Sequence, residues 1–412
     1  MIECIRTYRL QSKLEKPFSF SQWKYHTRNA LLVEITDSSG AIGWGECYGP
    51  AEVTQSAIHS FYAPLLIGWD PLQNEAAWQH CWRLSLDFAR KGIMMGAMSG
   101  LDMAILDLKG KLLGLSVSEL MGGRMRDNVQ CYATGLYFQD LPEAELINEI
   151  VEEAAGYVEE GYRAIKIKIG KNIKFDKNII KTMRRIFPSI QLMADSNHAY
   201  DLSEAVDVGR VLDENEYTWF EEPLSPQHPK LFSNLAAKLD IRIATGECEQ
   251  TRWGFMDLLS HGGVHIAQPD MAYCGGPTEA LKIRAIASTL GINVIPHAWG
   301  TMLNLACATH FIASTQVEPG RIEIIDPLLE VDRTCNPLRD EIYSVTLEKL
   351  DGILMVPTRP GLGVEPDRAA MVSFCVQQTE TQKQTQNSSH IAQSPVNIKS
   401  INTQQTKKTG FA

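Results

Sequence analysis

The sequence has no run of about 18 apolar residues, so none of its segments is expected to span a membrane. It also lacks any Cys-x-x-Cys pair. The nine cysteines, Cys4, Cys47, Cys81, Cys131, Cys248, Cys274, Cys307, Cys335 and Cys375, are odd in number and widely spread. That usage argues against a disulfide frame or a zinc knuckle, and fits reduced thiols in the cytoplasm. An excess of positive charge is missing too. Lys plus Arg number 39 against 49 Asp plus Glu, a net charge of −10 with a pI near 5.6. Nucleic acid and anionic membranes are therefore not expected as partners. The opening MIECIRTYRLQSKL contains no apolar stretch of signal-peptide length.

The composition that remains is that of a globular chain: 44% hydrophobic and 21% charged over 412 residues. The start reads as α+β. MIECIRTYRL and ALLVEITDSSGAIGWGEC alternate as strands around an SSG turn, and Gln55 to Leu120 carry helical periodicity. In AMSGLDMAILDLKGKLLG, the apolar Leu101, Ile105, Leu108 and Leu112 recur every three or four residues. The rhythm then changes. VQCYAT at 129, AIKIKI at 164, IQLMA at 190, YTWF at 217, IRIAT at 241, VHIA at 264, INVI at 292 and IEII at 322 are short apolar runs with helix-sized connections. Eight such βα units predict a (β/α)8 barrel. A doubly wound open sheet is the alternative, weakened by the missing glycine-rich fingerprint after the first strand.

These patterns divide the chain into an α+β capping domain at 1–125 and a modified barrel at 126–345. A segment at 346–376 is expected to return to the capping domain. The polar Gln-, Thr- and Ser-rich stretch 377–412 reads as a disordered tail.

Barrel enzymes keep their chemistry at the C-terminal ends of the strands. There this sequence places Lys166 and Lys168, Asp195, Glu221, Glu247, Asp270 and His297, at intervals of 23–27 residues after Lys168. Helix-capping residues would explain one such carboxylate, but hardly one ionisable group per unit. Asp195, Glu221 and Glu247 leave three consecutive strands and would repel each other at one mouth without a cation. An all-oxygen set favours one Mg²⁺. Lys166 and Lys168 share a strand face, so mutual repulsion and a nearby cation are expected to lower their pKa towards that of a general base. Asp270 beside His297 predicts an acid–base dyad across the barrel from the lysines. Glu330, in LLEVD, is a further candidate for contacting a substrate carboxylate or donating a proton.

Lys166-x-Lys168, Asp195-x-Asn197, Glu221 in WFEEP, Glu247 after Gly246, Asp270, and His297 in PHAWGT together resemble the mandelate racemase subgroup of the enolase superfamily. The match runs over about residues 1–376. The resemblance implies a capping domain on a modified barrel, Mg²⁺ on the three carboxylates, and abstraction of the proton α to a carboxylate. GWGECYGPA at 43–51, KIKIG at 166–170, DSNHAY at 195–200, QPDMAYCGG at 268–276, PHAWGT at 296–301 and EVDRTCNPLR at 330–339 are closer to cycloisomerases that open a sugar-diacid lactone. Cys248, Glu249 and Gln250 depart from that pattern.

The resemblance implies Lys168 as base, Lys166 tuning it, and His297 with Asp270 as the second proton carrier. It offers Asn197, His198, Trp299 and Glu330 as substrate contacts. Trp23, with Lys24, His26 and Arg28 in FSFSQWKYHTR, is expected to close over the mouth together with ECYGP at 46–50. The activity implied is β-elimination on an acid sugar, above all opening of an aldarolactone such as galactarolactone. Dehydration and then epimerisation are the alternatives, and a silent sugar-acid-binding barrel is the non-enzymatic one. A homo-oligomer is expected.

Overall fold

A computed structural model describes residues 1–316 and 327–383, and the backbone of 396–402. Strands β1 (Ile2–Ser19), β2 (Lys24–Asp37) and β3 (Ile42–Cys47) form an antiparallel meander. Alternate residues of β2 serve two different cores. Leu31, Val33 and Ile35 meet the helix Ile93–Leu113, whereas Ala30 and Leu32 face the barrel side. Helix and sheet touch backbone to backbone: a Cβ on Gly45 would lie 2.1 Å from the carbonyl oxygen of Gly100. Larger residues at either position would push the helix off the sheet.

Eight parallel strands follow: β4 (Asn128–Thr134), β5 (Ala164–Lys168), β6 (Gln191–Asp195), β7 (Trp219–Glu221), β8 (Arg242–Thr245), β9 (Ile266–Ala267), β10 (Asn293–Val294) and β11 (Leu329–Asp332). Neighbours pair in order from β4 to β10, and β11 pairs with β4. Tyr132, Ala164, Met193, Trp219, Ala244, Ile266 and Ile295 fill the barrel interior as one apolar layer. Two residues further along β5, β6 and β7, the inward positions become Lys166, Asp195 and Glu221. The layer is a floor that keeps water from reaching these charges from below.

Two expectations are corrected, those for the eighth strand and for the tail. The eighth strand is Leu329–Asp332, which carries Glu330; the run IEII at 322 lies outside the described residues. The segment after the barrel runs along the barrel before it meets the capping domain. Ile353–Met355 first pairs antiparallel with the start of β4, and Leu362 and Glu365 then reach the capping domain, at Asp107 and Trp44. The stretch called a tail is partly sheet. Cys375–Lys383 pairs with β1, and Val396–Asn402 pairs with Cys375–Lys383. Its polar residues find partners: Arg6 Nε donates to Glu380 at 2.8 Å, and Thr381, fully buried, meets His59 Nδ1 at 2.7 Å. A strand of Gln and Thr needs ladder hydrogen bonds and one buried face, and composition alone does not show these.

Two predictions follow from this sheet. Deleting residues 377–412 strips the outer edge of β1 and the partner of His59. The melting temperature should fall by more than about 4 °C, given about 2–4 °C per kcal/mol. An unchanged melting curve would show that the strand adds nothing. Second, burial holds His59 and His310 down at about 4. Between that value and an ordinary 6.5, the unfolded chain binds protons that the folded chain refuses. Stability is therefore retained above about pH 6.5 and lost as pH falls towards 4. His59→Gln should reduce that slope in melts recorded across the window.

Candidate active site

The parallel register sets Lys168 beside Asp195 and Asp195 beside Glu221, one row across three strands. Lys168 Nζ lies 2.5 Å from Asp195 Oδ2 and 2.9 Å from Asn197 Oδ1. Lys166 contacts Glu221 Oε1, stands 2.8 Å from Glu330 Oε1, and faces the ring of Tyr132 at 5.4 Å. The other oxygen of Glu221 accepts from Trp219 Nε1 at 2.9 Å and Gln268 Nε2 at 2.8 Å. Asn197, His198 and Glu222 have left-handed backbone, with φ of 44°, 64° and 44°. These turns lie directly after β6 and β7 and bring the three side chains together.

On the opposite wall, His297 Nδ1 is 2.5 Å from Asp270 Oδ2, while its Nε2 is 3.7 Å from Glu247 Oε2 and 4.0 Å from Glu330 Oε2. Asp270 also accepts from the Ala272 amide at 2.7 Å and from Asn304 Nδ2 at 3.2 Å. With Nδ1 engaged by Asp270, Nε2 is the nitrogen turned towards the mouth. Burial works against a charge on His297, but Glu247 and Asp270 outweigh it and raise its pKa to about 10.

Asp195, Glu221 and Glu247 bring one carboxylate oxygen each within 4.8 Å of one another. Asp195 and Glu221 are fully buried. Such a trio suits a hard divalent cation with oxygen ligands. Without one, the lysines neutralise it. Burial disfavours their charge, yet Asp195 holds Lys168 above its ordinary pKa, and Glu221 with Glu330 holds Lys166 well above. In the absence of a cation the two lysines are thus held up and not lowered. Carboxylates outnumber ammonium groups here, and their attraction exceeds the repulsion between the two lysines.

The capping domain closes the mouth. Ser21 Oγ and Gln22 Nε2 donate to the carbonyl of Asn197 at 3.0 and 2.7 Å. Trp23 is 63% exposed and lines, with Tyr25, Tyr48 and Trp299, a cavity of about 670 Å³ on the capping-domain side that neither Lys168, His297 nor the three carboxylates line. Tyr48 meets His297 edge-on, with ring centroids 6.2 Å apart. Two of the loop's cations are not available to a ligand. Lys24 pairs with Asp140, and Arg28 is buried against Asp332 at 3.1 Å and stacks on Trp299 at 4.9 Å. His198 is likewise engaged, its Nε2 3.0 Å from Glu222 Oε2. Lys168 Nζ also faces the ring of Tyr137 at 5.4 Å. The sequence pattern assigns no role to Glu222 in WFEEP, nor to Asn304, Gln268, Tyr25 or Tyr137. The doubled Glu was the one signal for Glu222. The others stand in segments whose side chains meet only in the fold.

Residues 3–122 match the mandelate racemase/muconate lactonizing enzyme N-terminal domain, and residues 149–370 match the enolase C-terminal domain-like family. The chain belongs to the enolase superfamily. D-galactarolactone cycloisomerase of Agrobacterium fabrum is 37% identical over 374 residues, 90% of this chain and 98% of the relative. The crystal structure of 3,6-anhydro-D-galactonate cycloisomerase from Zobellia galactanivorans is 38% identical with a TM-score of 0.82, covering 91% of this chain and 99% of that one. L-talarate dehydratase from Polaromonas sp. JS666, solved with Mg and L-glucarate, is 26% identical with a TM-score of 0.78, covering 93% and 99%. This enolase-superfamily chain therefore resembles both cycloisomerases and a dehydratase over nearly their whole lengths.

Removing Lys166, a 1%-exposed cation, leaves Glu221 and Glu330 without their nearest positive charge. Lys166→Met should cost about 3–5 kcal/mol in denaturant melts with chelator present. Added Mg²⁺ should restore part of the loss by neutralising the same carboxylates, and a change below about 1 kcal/mol would contradict this charge accounting.

Proposed function

We propose that this protein is an acid-sugar cycloisomerase that uses one Mg²⁺ held by Asp195, Glu221 and Glu247. The observation that carries the reading is the placement of two proton carriers on opposite walls around these carboxylates, Lys168 on β5 and His297 after β10. When bound, Mg²⁺ supplies a Lewis-acid partner for the substrate carboxylate and for the charge that develops on it. With Asp195 turned towards a cation, Lys168 loses the partner that keeps it charged, whereas Lys166 keeps Glu330 at 2.8 Å. Burial then favours the neutral amine that a base requires. Lys168 takes the α-proton, and Asn197 at 2.9 Å orients its Nζ. Lys166 and Glu330 bracket the substrate carboxylate. The β-oxygen leaves with the C–O bond electrons, which for an aldarolactone such as galactarolactone opens the ring. His297, steered by Asp270, provides the second proton.

Trp299 supports a substrate contact, because its Nε1 is buried and has no partner among the described residues. Trp23, lining the same cavity as Trp299, is the second aromatic wall. Expulsion of water in place of a ring oxygen makes the same machinery a dehydratase, the reading favoured by the likeness to L-talarate dehydratase. The exposed Trp253, stacked on Trp82 at 4.9 Å, supports a homo-oligomer. Nine free cysteines support a reducing, cytoplasmic setting.

The test is proton NMR in D₂O with Mg²⁺ and a panel of aldarates and their lactones. Chelation should abolish turnover and Mg²⁺ should restore it. Lys168→Ala should lose both turnover and α-proton exchange, by about 10²–10⁴-fold. His297→Asn should lose turnover yet keep exchange, if Lys168 acts first and reversibly. Exchange lost in His297→Asn and kept in Lys168→Ala would reverse the two roles. Unchanged turnover in both variants would remove the enolising assignment.

A further inference from the structure

We propose that His198, Glu222 and Cys248 form a second metal site, for a zinc-class divalent cation, beside the three-carboxylate centre. Each of these residues directly follows the strand-end turn that carries a carboxylate of that centre. Glu222 follows Glu221, Cys248 follows Glu247, and His198 stands three residues after Asp195. The carboxylates gather on one side of the turns, and these three side chains gather in a second group.

Their donor atoms all lie within 4.8 Å of one another. Nε2 of His198 is 3.0 Å from Glu222 Oε2 and 3.5 Å from Cys248 Sγ. A tetrahedral zinc ion, with nitrogen at about 2.0 Å and sulfur at about 2.3 Å, separates those two donors by about 3.5 Å and nitrogen from carboxylate oxygen by about 3.3 Å. The imidazole nitrogen is thus already close to the required spacing from both other donors. One nitrogen, one oxygen and one sulfur is a mixed set that suits zinc-class cations and not Mg²⁺.

Two further observations point to a ligand. Glu222 is 1% exposed, yet its Oε1 has no hydrogen-bond partner among the described residues. An imidazole–carboxylate pair would account for Oε2 alone. In addition, His198 Nδ1 is 3.1 Å from the carbonyl oxygen of Leu224. A carbonyl can only accept, so Nδ1 carries the hydrogen and Nε2 faces the other two donors. A hydrogen bond from the rear nitrogen to a carbonyl is how metal-binding histidines are oriented. Cys248 is exposed and gives the ion a route in from solvent.

The charges balance. A divalent ion displaces the proton between His198 and Glu222 and the thiol proton of Cys248. Two positive charges enter and two protons leave, so a neighbouring Mg²⁺ sees no added net charge. The site also reaches the chemistry. Asn197 Nδ2 is 3.3 Å from Glu222 Oε2, and the same Asn197 orients Lys168. An ion that draws Glu222 towards Cys248 therefore acts on the positioning of the base.

The test uses full-length protein saturated with Mg²⁺. Titration with Co²⁺ should produce a thiolate-to-cobalt charge-transfer band in the near ultraviolet, which a carboxylate-only centre cannot give. Calorimetry with Zn²⁺ should show one added ion per chain. Cys248→Ser should lose the band and weaken Zn²⁺ by at least about tenfold, and His198→Gln should weaken it similarly. Cys335→Ser, which changes another exposed thiol, should keep both signals. Zn²⁺ but not Mg²⁺ should also shield Cys248 of the unmutated protein from alkylation, read by peptide mass spectrometry. No band in the unmutated protein, a band that survives Cys248→Ser, or alkylation of Cys248 that Zn²⁺ does not slow would each overturn the site.

Discussion

Five charged side chains that scarcely touch water, Lys166, Lys168, Asp195, Glu221 and Glu330, occupy one end of the barrel. Burying any one of them alone would be prohibitive, so each is tolerable only while the others hold position. The surroundings meet that demand. The apolar layer from Tyr132 to Ile295 closes the barrel below, and Trp219 and Gln268 occupy the remaining oxygen of Glu221. Parallel register places the charges in a row without relying on loops. A cation can enter such a site at low cost, because it replaces ammonium groups already bound to the same oxygens.

The capping domain contributes more than a roof. Glu46 on β3 accepts from the Thr301 and Asn304 amides at 2.8 and 3.1 Å, and burial lifts its pKa to about 7. Gly300 beside it leaves no room for a side chain, since a Cβ there would lie 2.5 Å from Glu46 Oε1. Asn304 in turn donates to Asp270, which steers His297. One carboxylate of the capping domain thus supports the histidine wall from behind. On the lysine side, Ser21 and Gln22 secure Asn197. Cap and barrel are coupled at both catalytic walls.

Much of this was legible in the sequence, for physical reasons. A parallel barrel strand is a short apolar run, and chemistry at its end must appear at a βα period, so Lys166 through His297 could be read by counting. Glu330 was found as a residue, while its strand was misplaced by a few positions, because IEII and LLEV are equally apolar. The edge strand Cys375–Lys383 was illegible: its stability comes from pairing with β1 and from Thr381 under His59, both distant in sequence. The lysine charge state of the cation-free site was illegible for a related reason. Sequence spacing showed the repulsion between the two lysines, whereas the stronger attraction comes from Asp195, Glu221 and Glu330 on other strands. Arg28 looked like a ligand contact because exposure cannot be read from a hairpin motif; its partners, Asp332 and Thr334, lie some 300 residues away.

The capping sheet is built from both ends of the described chain, with β1 starting at Ile2 and its neighbour ending at Lys383. During synthesis β1 emerges first, and the strand that covers its outer edge emerges only after the whole barrel has been made. Completion of that sheet therefore waits for the barrel, and the edge of β1 is covered last.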